Sequence, residues 1–269
     1  MGLMTIETHS YDEVLPAAVK DHFSFYEVRN AALILKSVAP DEWADIVQVL
    51  SGFRFDANTF LQSGGNNSKM AASLNDSFAR LGWRECLYEL ETKATIKFRH
   101  AKGSQPAAEE LGTNHTSSYW VDNRKGRVLL DVEWNAKDGN LDRDLAAYRA
   151  WHEMGFIDAA VLITKDREAL LKCACELWSR YRRTSYEAVY AATMKGQSSR
   201  TSKDKINAIP LDLKTTTTTN MRNAELRINL GEAGTCPLLL VGISDKTWDG
   251  GEYQIKTMAD TDTYTPTLI

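Results

Sequence analysis

Hydrophobic residues in the first half of the chain recur every three or four positions. Val28, Ala31, Ala32 and Leu35 share one face of a helix predicted over Glu27 to Ser37. Asp41 follows Pro40 and opens a second helix, which carries Trp43, Ile46, Val47 and Leu50 on one side and closes at Gly52. The stretch SGGNNSKM (Ser63 to Met70) reads as a loop feeding a third helix through Ala71, Leu74, Phe78 and Leu81. Leu87 to His100 alternates like a strand, and the polar, Gly- and Pro-bearing run Ala101 to Ser118 reads as a loop.

The pattern then changes. Val128 to Trp134 is a predicted strand, and Asp138-Gly139 turns the chain. Asp142 is placed to cap a helix through Leu145, Tyr148, Trp151 and His152, ending near Gly155. AAVLIT (Ala159 to Thr164) is a short apolar strand, which completes a β-α-β unit with two parallel strands. PLLLVGI (Pro237 to Ile243) is expected to join the same sheet. There is no internal repeat and no linker long enough to separate domains; the only low-complexity run is Thr215 to Thr219. The expectation is one α/β domain over 1–269. It divides into a mostly helical N-terminal part (1–85), an α/β core (86–245) and a tail (246–269).

Composition narrows the class without choosing a function. The chain has 269 residues and a net charge of −4, which argues weakly against nucleic acid. The distribution matters more than the total. Trp178 to Lys205 carries Arg180, Arg182, Arg183, Lys195, Arg200, Lys203 and Lys205 against only Glu187 and Asp204. No basic start precedes an apolar run, and no stretch approaches the roughly 20 apolar residues that span a bilayer. The four cysteines (Cys86, Cys173, Cys175, Cys236) form no CxxC pair. Reduced thiols and a cytoplasmic location, away from membranes, are expected.

The chemistry-bearing feature is a pair of acids. Asp131 and Glu133 lie two apart and share a strand face, along with Asn135 and Lys137 if the strand persists that far. Leu130, Val132 and Trp134 take the other face. A hairpin closed at NRKG would bring Asp122, nine residues upstream, beside Asp131. Three carboxylates at one spot repel each other and suit a hard divalent cation such as Mg²⁺. That ion, held with open water positions, suits phosphodiester hydrolysis, with Lys137 near the developing charge. The same spacing also fits an exposed edge, or an ion pair with Lys137 or Arg143.

A longer string adds to this. VDNRKGRVLLDVEWNAKDGNLDRDLAAYRAW (Val121 to Trp151) resembles the central block of the BglII-type restriction endonucleases, within the PD-(D/E)xK nuclease superfamily. Flanking stretches resemble the family too: SGGNNSKMAASLNDSFARLGWRE (Ser63 to Glu85) and LKTTTTTNMRNAELRINLGEAGTCPLLLVGI (Leu213 to Ile243). The resemblance implies a central mixed sheet flanked by helices. It implies a homodimer on double-stranded DNA that cuts a short palindrome, containing GATC in close relatives, with Mg²⁺ or, as a substitute, Mn²⁺. A DNA methyltransferase is implied as a genetic partner.

By position, Asp122, Asp131 and Glu133 become the metal-binding and catalytic acids, with Lys137 as a fourth catalytic candidate. Glu133 stands where the superfamily usually has lysine, which opens the identity of the general base. Asn135 is a candidate contact to adenine or phosphate. Arg143 is a candidate for orienting an acid or contacting phosphate, and Asp142 and Asp144 look like helix-start residues. Further DNA-contact candidates are Asn66, Ser68 and Lys69 before a helix start, Arg124, Thr216 and Thr217, and Arg222. His115 and His152 lack a partner at ligand spacing and are read as ordinary loop and helix residues. Two alternatives stay open: another nuclease on the same scaffold, for repair or directed at RNA, and a DNA-binding protein that does not cut. Retention of three acids near phosphate argues against the last.

Overall fold

A computed structural model describes residues 6–61, 69–100, 103–104, 106–115, 119–194 and 209–254. The strands are β1 (Glu7–Thr8), β2 (Phe23–Val28), β3 (Arg84–Tyr88), β4 (Glu91–Lys97), β5 (Ala108–His115), β6 (Tyr119–Lys125), β7 (Val128–Val132), β8 (Ala159–Lys165) and β9 (Leu238–Ile243). The helices are α1 (Tyr11–Val14), α2 (Ala17–Lys20), α3 (Ala31–Val38), α4 (Pro40–Gly52), α5 (Ala57–Leu61), α6 (Lys69–Arg80), α7 (Asp138–Glu153), α8 (Arg167–Arg182), α9 (Tyr186–Met194), α10 (Leu211–Lys214) and α11 (Met221–Asn229).

Seven strands form one mixed sheet in the order β1-β2-β9-β8-β7-β6-β3. The three central strands β7, β8 and β9 are parallel, and every other pairing in this sheet is antiparallel. The centre is parallel because helices make the crossovers: α7 returns the chain from β7 to β8, and α8 to α11 return it from β8 to β9.

Alternation along the strands builds two cores. Val128, Leu130 and Val132 of β7, with Ala159, Val161 and Ile163 of β8, face a layer that includes α3, α4, α6 and α8. Leu129, Ala160 and Leu162 face α7 and α11 through Leu141, Leu145, Tyr148, Ala224 and Ile228. A sheet covered on both faces explains why β8 and β9 read as unbroken apolar runs. The four cysteines are free thiols, three of them buried. Among the described residues no helix is long and apolar enough to cross a membrane.

The α/β class, the helices over Pro40–Gly52 and Lys69–Arg80 and the parallel strands agree with the sequence pattern. Four expectations change. Phe23–Val28 is a strand inside the main sheet, and the helix begins only at Ala31. Glu27, predicted as a helix start, is fully buried in that strand and accepts the Ala32 N–H at 2.8 Å. The expected loop after Ala101 contains β5, which pairs with β4 as a separate two-stranded arm. β4 lies within the predicted strand Leu87 to His100; every residue of β5 is exposed, so no buried face marks it in the sequence. Helix α7 begins at Asp138 rather than Asp142, because one more turn buries Leu141. Asp142 therefore lies inside the helix and pairs with Arg227 of α11 rather than capping.

Candidate active site

The site begins with a tight hairpin. Lys125 pairs with Val128 across a two-residue turn in which Gly126 has φ +53°, the left-handed region such turns require. The turn sets Asp122 of β6 opposite the end of β7.

On its other side β6 carries an extra residue. Val121 pairs with Cys86 and Arg124 with Arg84, so three steps along β6 match two along β3. This bulge spans Asp122 and Asn123. It lets Val121 enter the α7-side core while Asn123 faces the opposite layer, where it donates to Asn75 Oδ1 of α6 at 2.8 Å. Asn75 also lies near enough to the Asp122 carboxyl to favour its ionised form.

The bulged residue and Asp131 hold each other. The Asp122 N–H donates to Asp131 Oδ1 at 2.8 Å, and the Val132 N–H donates to Asp122 Oδ2 at 3.1 Å. The other Asp131 oxygen accepts a short hydrogen bond from the Tyr148 hydroxyl of α7. Asp131 is only 2% exposed. Burial, and then the Asp122 charge, push its carboxyl well above the usual range, against the hydrogen bonds from Tyr148 and Asp122. Burial likewise raises Asp122, opposed by Val132 and Asn75.

Glu133 lies one step beyond β7 and keeps the ladder going, its N–H bonded to Ile163 O at 2.9 Å. Burial raises its carboxyl to about 8; the charges of Asp144 and then Asp122 add to this, and Arg143 opposes it. Asp144 of α7 is 0% exposed, and neither of its carboxylate oxygens accepts a hydrogen bond. Burial raises it to about 6, while the Tyr119 hydroxyl, near but outside hydrogen-bond geometry, and Arg143 act the other way. The Arg143 guanidinium lies over the Tyr119 ring at 5.2 Å, with Nε 4.0 Å from Asp144.

Four carboxylates thus gather where β7 meets α7. Among the described residues, no three His, Cys, Asp or Glu side chains are arranged to enclose a metal ion. The donor set nonetheless fits one hard divalent cation class. It is all oxygen, its members are raised by burial and mutual repulsion, and one buried carboxylate has no partner. Mg²⁺ is commonly bound through one or two carboxylates, with water and substrate phosphate completing the shell.

Beyond Glu133 the chain leaves the strand, so Asn135 and Lys137 do not continue the face of Asp131. Lys137 instead bridges Thr218 through the backbone, and the Thr219 N–H donates to Ala136 O at 2.9 Å. The fully buried Lys165 seals this junction by donating to Trp134 O and to Thr218 Oγ1. Asn135 to Lys137 and the threonine run therefore form one surface at the carboxyl ends of β7 and β8. Thr216 and Thr217 are exposed on it, and Arg222 stands nearby, 84% exposed, with Glu168 at 3.6 Å.

The other candidates are scattered. Lys69 is the exposed first residue of α6; Asn66 and Ser68 lie outside the described residues. Arg124 is exposed on β6 and acts on the Tyr88 hydroxyl. Of the basic run, Arg180, Arg182 and Arg183 are at the far end of α8, a 16-residue helix about 24 Å long that starts beside the site; Lys195, Arg200, Lys203 and Lys205 lie outside the described residues. His152 faces Thr235 on the surface.

Sequence reasoning passed over Tyr148, Asn75 and Lys165. Tyr148 was legible only as one more apolar residue on a helix face. What marks it is its spacing of four from Asp144, which becomes informative only when α7 is laid against β7.

The sheet, its two helical layers and the acids at the hairpin define the class as a restriction-endonuclease-like α/β nuclease. The sequence model of the family described as restriction endonuclease BglII/BglIII matches residues 23–243, from the first residue of β2 to the last of β9, and the chain belongs to that family. Membership makes it a restriction endonuclease, a nuclease that acts on double-stranded DNA. No curated protein matches it.

Proposed function

We propose that the chain hydrolyses phosphodiester bonds of double-stranded DNA at a short palindrome in a Mg²⁺-dependent reaction. The observation that carries this reading is the mutual anchoring of Asp122 and Asp131 at the exit of β7, beside Glu133 and Asp144. Asp122, Asp131 and Glu133 are the residues that would hold the ion. When bound, it supplies charge stabilisation at the phosphoryl oxygen and activation of the attacking water.

The protein does the rest. The hydrogen bonds from Tyr148 and the Asp122 N–H hold Asp131 in one orientation, so its carboxylate needs no reordering when phosphate arrives. Glu133 cannot offer the positive charge of the usual lysine. Its raised carboxyl makes it a proton acceptor matched to neutral or mildly alkaline pH. Arg143 is the cation closest to this acid cluster by its effect on Glu133 and Asp144, and it is the candidate to meet the scissile phosphate. Lys137 lies on the same approach.

Asn135, Thr216, Thr217 and Arg222 supply the DNA-facing surface, with Lys69, Asn66, Ser68 and Arg124 as flanking contacts. The whole chain acts as one cytoplasmic nuclease domain. Two copies read the two halves of the palindrome, and a GATC-containing site is the first to try. A DNA methyltransferase that protects the host is the expected genetic partner.

Digestion of mixed plasmid DNA with Mg²⁺, followed by sequencing of fragment ends, tests this. One recurrent end sequence is expected. Random ends, or intact DNA at all divalent-ion concentrations, would overturn the reading.

A further inference from the structure

Helix α7 returns antiparallel to β7, so its rows can be matched to those of the strand. The Tyr148 hydroxyl reaches Asp131, which sets that level. Asp144 is four residues earlier on the same sheet-facing stripe as Leu141, Leu145 and Tyr148. Four helical residues rise about 6 Å. Two strand residues advance about 6.6 Å. These rises bring Asp144 toward the level of Glu133. Electrostatics agree: no other side chain raises Glu133 as strongly as Asp144 does.

Asp144 has no hydrogen-bond partner to account for it; the Tyr119 hydroxyl is near but outside hydrogen-bond geometry. Asp144 is 0% exposed, and both carboxylate oxygens lack a hydrogen bond. The only ion-pair partner among the described residues is its neighbour Arg143, 4.0 Å away and itself largely exposed. An ionised carboxylate in that position costs stability unless something binds it. A lone acid on the apolar stripe of a helix could be replaced by leucine with gain. Its orphaned oxygens, set beside another carboxylate, call for a cation.

We propose that Glu133 and Asp144 form a second carboxylate pair, bridging strand end and helix, that binds a divalent cation beside the one held by Asp122 and Asp131. This rests on the nuclease reading above and extends it to a second ion, with Glu133 assigned to the second ion rather than the first. Glu133 is partly exposed and provides the entry; Asp144 closes the inner side. A glutamate in place of lysine then has a purpose, since a lysine there would repel the ion.

The test counts Mn²⁺ bound to the full chain by the loss of free-ion electron paramagnetic resonance signal, in wild type, Asp144→Asn and Asp131→Asn. Two ions per wild-type chain and one in Asp144→Asn are expected, with the other lost in Asp131→Asn. Melting in EDTA gives a second readout independent of cleavage. Asp144→Asn should melt a few degrees higher than wild type, because a buried uncompensated charge is gone, and should gain less from added Mn²⁺. A purely structural aspartate would move the melting temperature the other way. If Asp131→Asn loses an ion while Asp144→Asn binds as wild type does, the second site is wrong and the nuclease reading stands. If wild type takes up no Mn²⁺, both fall together.

Discussion

Asp122 and Asp131 each accept a backbone N–H of the other's strand: the Asp122 N–H donates to Asp131 Oδ1 at 2.8 Å, while the Asp122 carboxylate accepts from the residue after Asp131 at 3.1 Å. The extra residue in β6 permits this exchange. It couples the orientations of the two acids.

Asp131→Asn keeps the volume and removes the charge. Cleavage should fall by about a thousandfold or more, the scale lost when a group acting on transition-state charge is removed. The fold should persist, with melting in EDTA no lower than wild type, because a desolvated charge beside Asp122 is gone. A variant cutting at the wild-type rate would put the chemistry elsewhere.

Tyr148→Phe tests positioning. Asp131 loses one hydrogen bond and keeps its charge. Cation affinity or cleavage should drop about 10- to 100-fold, as for other groups that orient metal ligands. Stability should fall by roughly 1–3 kcal/mol for the acceptor left unpaired. Cleavage rate against Mn²⁺ concentration separates the two effects. A change in stability alone would make Tyr148 a packing residue.

Glu133 predicts a pH dependence of definite sign. Its carboxyl is near 8 when folded, against the ordinary 4.5. Between these values the unfolded chain has released the proton and the folded one has not. Cation-free stability therefore declines as pH rises from about 4.5 to 8. Cation binding needs the ionised form, so Mn²⁺ affinity should rise over the same window. Glu133→Gln should flatten both trends in thermal melts and Mn²⁺ titrations. Equal slopes in variant and wild type would remove Glu133 from the site.

Lys165→Met removes the ammonium that joins Trp134 O to Thr218 Oγ1. The Thr219 amide, bonded to Ala136 O, should then exchange its hydrogen faster, by about tenfold for each 1.4 kcal/mol of lost local stability. Duplex binding should weaken with it. Unchanged exchange at Thr219 would mean that the threonine run is held by its backbone alone.

The sequence by itself determined the central strands, the parallel order of their unit and the proximity of Asp122 to Asp131. Apolar runs, helical spacing and a Gly-bearing turn are local signals, and each reports on the layer its residues will bury. Tertiary structure alone decided the rest. The second arm strand, β5, is wet on both faces and reads as a loop in the sequence. Glu27 is buried because it caps a helix that starts after its own strand. The bulge at Asp122 appears only in the pairing with β3, and Tyr148, Asn75 and Asp144 join the site only when α6 and α7 pack on the sheet. A hydrogen bond between residues 17 apart leaves no period in a sequence. Contacts between elements are set by how two faces meet, and only the assembled fold contains that information.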